Sequence, residues 1–79
     1  MATQLEALHT IAKISHMGDR AVRMSTAIRR TGIARDEIEG IRGLSCHSGL
    51  IQVGAYALED LARAGLVALP QWAEEALSE

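Results

Sequence analysis

Arg29, Arg30, Arg35 and Arg42 are the side chains whose type and spacing best suit a chemical task, and that task is anion recognition. A guanidinium keeps its charge throughout the physiological pH range. It clamps phosphate with paired N–H groups and reads the edge of guanine through two parallel hydrogen bonds. Adjacent Arg29 and Arg30 are the densest positive feature, because Asp19 is the only acid between Thr10 and Ile33. Residues 13–42 carry seven basic and four acidic side chains, a balance of +3. Residues 43–79 carry one basic and five acidic, a balance of −4. Such asymmetry suits a domain that offers one face to an anion. The plainer alternative is a mixed, solvated surface.

Other chemistries find less to work with. Cys46 and His47, taken with His9 and His16, are the residues from which a metal site could be imagined. Zinc sites need two spaced ligand pairs, and an adjacent Cys-His alone falls short. A Cys-His catalytic dyad fails for a similar reason, since neighbouring side chains diverge and no third group orients them. The seven glycines are scattered without the spacing of a phosphate-binding loop. Tyr56 and Trp72 are the sole aromatics, too few for a surface that stacks single-stranded bases. Trp72 reads as a cap on an aliphatic core. No catalytic residue, metal or cofactor is therefore expected.

The elements that would carry the arginines can be read from caps and periodicity. Thr3-Gln4-Leu5-Glu6 has capping-box spacing, and Leu5, Leu8, Ile11 and Ala12 recur at helical intervals, predicting a helix over residues 4–15. Asp19 to Met24 is ambiguous between a second helix and a short strand at Ala21–Met24. Ser25 or Thr26 suits the N-cap of a helix ending at Gly32. A second helix begins near Arg35 or Asp36 and turns Ile38, Ile41 and Leu44 inward; Gly40 and Gly43 weaken it, and either permit close packing or end the helix early. Residues 45–49 read as a loop by composition. Leu50–Val53 is an apolar run that periodicity cannot assign to strand or helix. Residues 55–64 read as a helix with Leu58 and Leu61 inward, Glu59 and Arg63 paired on its outer side, and Gly65 as its stop. Pro70 suits the first turn of a last helix, residues 71–77.

Gly32 is the pivot of this arrangement, because a residue just past a helix end often needs positive φ. Ile33 follows it as a turn hydrophobe and Ile38 lies six residues beyond, on the inner face of the next helix. Residues 27–41 thereby resemble a helix-turn-helix unit of the DNA-binding superfamily that includes winged-helix proteins. That resemblance implies a second helix docked in the DNA major groove, with Arg29, Arg30, Arg35 and Arg42 approaching nucleic acid. Leu58 to Val67 carries a second echo, a Leu-x2-Leu-x3-Gly-Leu-Val pattern like the end of the recognition helix in winged-helix regulators. It stands too far from Gly32 to finish the same helix. The turn into a wing at Gly49-Leu50-Ile51 is the alternative. Asp36, Glu37 and Glu39 count against phosphate contact by the second helix, and Ala34 occupies a position where a capping side chain is usual. The plainer structure for this stretch is an αα-hairpin.

Seventy-nine residues, 48% of them apolar and none of them Phe, make one domain with a small core of Leu, Ile, Val, Ala and Met. Aliphatic cores of this size are marginal, so a homodimer is expected. A single cysteine forbids an internal disulfide, and no apolar run approaches membrane-spanning length, which together predict a soluble cytoplasmic chain with no membrane partner. The expected fold is mainly α, a bundle of four to five short helices over residues 1–79 with a helix-turn-helix-like pair and a small β wing as an option. The expected function is a small DNA-binding transcriptional regulator of the kind carried by phages and mobile elements. Its competitor is an acidic helical module that binds a larger host protein and inhibits or adapts it.

Overall fold

A computed structural model describes residues 3–79. Helix α1 spans Gln4–Ile14 and begins where the sequence requires. The Thr3 hydroxyl accepts the Glu6 N–H at 3.1 Å, and the Glu6 carboxylate accepts the Thr3 N–H at 3.0 Å. Hydrogen bonding to Thr3, its backbone N–H first and its side chain second, holds the Glu6 carboxyl below its usual range. Ala7, Leu8, Ile11 and Ala12 form the buried stripe. Leu5, expected in the core, is instead 38% exposed. It lines a surface depression together with Leu8, Ile41, Arg42 and Asp60.

Strand β1, Val22–Arg23, leads directly into helix α2, Met24–Thr31. The N-cap is Arg23 rather than Ser25 or Thr26. The Met24 N–H donates instead to the Gly49 carbonyl at 2.8 Å, so a tertiary partner replaces a capping side chain. Gly32 ends α2 at φ +71°, its N–H donating to the Ile28 carbonyl at 2.9 Å. Thr31 braces the exit: its hydroxyl donates to the Ala27 carbonyl at 2.7 Å and accepts the Ile33 N–H at 3.1 Å.

Helix α3, Arg35–Glu39, is far shorter than the helix expected to run to Leu44. Gly43 decides this. Its φ is +91°, its carbonyl accepts the Gly54 N–H at 2.8 Å, and a β-carbon there would collide with the Ala57 backbone. The chain is pressed against the start of the following helix and cannot continue its own. Of residues 45–49, read from composition as a loop, only Ser48 and Gly49 are one, and residues 45–47 are strand. Strand β2 is Leu44–His47 and β3 is Leu50–Val53, joined by Ser48 and Gly49 at φ +53° and +77°. Two positive-φ residues in a two-residue loop make the type I′ turn that matches strand twist.

The sheet order is β1-β3-β2, antiparallel throughout, with Val22 opposite Ile51 and Cys46 also opposite Ile51. Val22, Ile51 and Val53 face the core while Gln52 faces water. Helix α4, Ala55–Arg63, contributes Ala57, Leu58 and Leu61, all fully buried. Removing each such leucine from water is worth about 1.5–3 kcal/mol. Helix α5, Gln71–Leu77, packs on α4 through buried Ala73. Ile11, Ile38, Ile51 and Leu58, from helix and sheet alike, meet in one core.

The architecture is therefore α+β, and the mainly α bundle is overturned by the three-stranded sheet. Tertiary pairing turned a composition-defined loop and an apolar run into strands. Among the described residues, no helix is long and apolar enough to cross a membrane.

Candidate anion-binding site

The end of α1 is built as a tight, braced corner. Ser15 is fully buried; its hydroxyl donates to the Ala12 carbonyl at 2.8 Å and accepts the Gly18 N–H at 3.0 Å. His16 and Met17 take positive φ, at +52° and +58°, a conformation uncommon outside glycine. The corner then folds back, and the Arg20 N–H donates to the Ser15 carbonyl at 3.0 Å. Trp72 closes it from the far side: its indole N–H donates to the Met17 carbonyl at 3.2 Å and its ring packs on Gly18. The expected core cap is thus a half-covered clamp on this corner, 39% exposed.

This corner and the last turn of α2 enclose an open cleft of about 610 Å³. Thr10, Lys13, Ile14, His16, Arg20 and Arg30 line it, and no carboxylate does. Lys13 comes from the last turn of α1, Arg20 from the segment leading to β1, and Arg30 from the last turn of α2. Three segments distant in sequence therefore place permanent positive charge around one concavity.

The four arginines singled out by sequence separate in the structure. Arg30 enters the cleft. Arg29 is exposed one residue earlier on α2, about 100° away around the helix. Arg35 is exposed at the first position of α3, across the Gly32 turn. Arg42 is engaged within the protein, 2.8 Å from Asp60 and 4.0 Å from Glu59. Among the described residues, the ion pairs involve only Arg42 and Arg63 as cations, leaving Lys13, Arg20, Arg23, Arg29, Arg30 and Arg35 without a carboxylate partner. Sequence reasoning did not single out Lys13, His16 or Arg20 as site residues. The basic balance of residues 13–42 was their only signal, and the approach of α1 to α2 gave it shape.

Cys46 and His47 lie on a strand, so their side chains leave opposite faces: Cys46 is half-buried and His47 exposed. Burial pushes the Cys46 thiol up, the Glu39 carboxylate adds to that, and Arg35 partly offsets both. Among the described residues no cluster of three or more potential ligands could hold a metal ion. On α3, Asp36, Glu37 and Glu39 are exposed while Ile38 is buried. Its outer surface is acidic with a single cation at its start.

Compared with models of known protein families, with curated proteins and with solved structures, the chain shows no significant match.

Proposed function

We propose that this chain is a small DNA-binding transcriptional regulator that grips the duplex backbone with the cations flanking the Gly32 turn. The observation that carries this reading is the absence of a carboxylate partner, among the described residues, for Arg29, Arg30 and Arg35. Charged side chains held exposed and unpaired by α2 and α3 are available to phosphate oxygens, which release counterions when neutralised. The order α1-β1-α2-α3-β2-β3, with β2 packed on α3, supports the same reading, because that order resembles a winged-helix arrangement. Fold resemblance alone assigns no function, so the weight rests on the arginines.

The docking differs from the usual one. Helix α3 has five residues, about 7.5 Å of helix, and shows three carboxylates to solvent. It is poorly suited to lie deep in a groove between phosphates. Contact therefore falls to the end of α2, the turn and Arg35. Titration of a duplex of random sequence over a range of salt concentrations tests this. Binding should weaken with salt with a logarithmic slope of about −3, one unit for each of the three arginines. A chain that binds no duplex at low salt overturns the reading.

A second reading, an interaction module for a larger protein, is favoured by the acidic faces of α3 and α5 and the half-exposed Trp72. It predicts no duplex binding at any salt concentration, together with a stoichiometric protein complex that Trp72→Ala weakens.

A further inference from the structure

We propose that the cleft between the end of α1 and α2 binds a compact phosphorylated ligand, held by Lys13, Arg20 and Arg30. This goes beyond duplex contact, for which Arg29 and Arg35 lie outside the cleft; Arg30 alone is shared between the two readings.

The argument begins with charge. Three permanent cations and the His16 ring surround one cavity with no acid in its lining, and none of the three has an ion-pair partner among the described residues. Like charges lining one cleft repel, weakly here because all three are exposed to water, and an anion bound among them would be attracted to each. A phosphoryl group carries about two negative charges at neutral pH and offers acceptor oxygens in several directions. It matches a lining that holds three cationic donors. Arg20 and Arg30 can each bind it through paired N–H groups, and Lys13 supplies a compact charge.

Size and composition agree with this chemistry. A volume of about 610 Å³ lies within the range of small-molecule sites, roughly 300–1,000 Å³. The Thr10 hydroxyl adds a neutral donor, and Ile14 offers an apolar surface for the uncharged part of a ligand. The corner is also held in place before any ligand arrives. The two bonds of buried Ser15 fix the turn, and the Arg20 backbone is tied to the Ser15 carbonyl. Ordering cost on binding is correspondingly reduced.

The test uses the isotope-labelled full chain, followed by NMR as pyrophosphate is added at low salt, with sodium chloride at matched ionic strength as the control. The expected result is saturable shifts at Lys13, His16, Arg20 and Arg30. Affinity should fall about tenfold or more in Lys13→Gln and in Arg30→Gln, the cost of one charged hydrogen-bonding partner. Arg23→Gln, which alters an exposed cation outside the cleft, should leave affinity unchanged. These three arginine and lysine side chains are exposed, so the variants should fold as the parent does. Shifts that merely follow ionic strength, or equal weakening by Arg23→Gln, overturn the proposal. A parallel arm with a short duplex separates the sources of phosphate. Duplex shifting the cleft resonances while pyrophosphate does not overturns the small-ligand site and leaves the DNA reading standing. Saturable pyrophosphate binding without duplex binding does the reverse.

Discussion

The Arg42 guanidinium lies 2.8 Å from the Asp60 carboxylate and 4.7 Å above the Tyr56 ring, tying the turn after α3 to helix α4. An arginine that sequence assigned to DNA is therefore a brace. Its side chain is 57% exposed, so the ion pair is worth only about 0–1 kcal/mol and the ring contact about 0.5–1 kcal/mol. Arg42→Gln should lower the melting temperature by several degrees, since about 1 kcal/mol corresponds to 4–8 °C in a domain this small. The salt dependence of duplex binding should stay the same. A slope reduced by about one unit would mean that Arg42 meets phosphate after all.

Arg29 and Arg30 carry the opposite expectation. Arg29→Glu and Arg30→Glu should each weaken duplex binding, and the double variant should be weaker than either. Each lost phosphate contact should flatten the salt slope by about one unit. Both residues are exposed on the last turn of α2, and circular dichroism should show the helices intact. A folded double variant that binds like the parent would remove these arginines from the interface.

Ser15 ties the stability of the α1 corner to the shape of the cleft. Ser15→Ala leaves the part-buried Gly18 N–H without its acceptor, and should cost about 1–3 kcal/mol in chemical denaturation. The same variant should loosen pyrophosphate binding, although Ser15 does not line the cleft. Unchanged stability would show that the corner does not depend on this hydroxyl.

Two glycines with similar dihedrals should respond very differently to alanine. Gly32, at φ +71°, has open space around a β-carbon, so Gly32→Ala should cost about 1–2 kcal/mol, the penalty of left-handed backbone alone. Gly43, at φ +91°, faces the Ala57 backbone, with the Ala57 Cα and Cβ 2.7 Å from where a β-carbon would sit. Gly43→Ala should cost more than about 3 kcal/mol, because overpacking adds to the backbone penalty. Equal melting temperatures for the two variants would show that the Gly43–Ala57 contact relaxes freely.

Cys46 offers a titration. Burial and Glu39 raise its thiol, so at pH 8 less of it is thiolate than in an unfolded chain, and alkylation should be slower in the native protein. Glu39→Gln removes a raising charge and should speed the reaction. Arg35→Gln removes a lowering one and should slow it further. Rates that do not differ among the three proteins would place both charges too far from the thiol to matter.

What the sequence determined by itself was local. The Thr3–Glu6 cap, the αL stop at Gly32, the inward Leu58 and Leu61, and the helix after Pro70 all depend on partners within a few residues. Helix signals of this kind are complete within one or two turns of chain. The hairpin was not legible, because a four-residue strand such as Leu44–His47 has no hydrogen bonds of its own until Leu50–Val53 lies beside it. Leu44 fits an inward helical position and an inward strand position equally well, and the end of α3 at Gly40, the contact of Gly43 with Ala57 and the pairing of Leu44 with Val53 place it in the strand. The site followed the same division. The charge excess of residues 13–42 could be counted, but not which cations would be neutralised. Asp60 reached Arg42 from 18 residues away and took it out of the set, while the Ser15 corner and the packing of α1 on α2 brought Lys13, Arg20 and Arg30 together. Coulomb interaction depends on distance in space, and that distance exists only once the chain has folded.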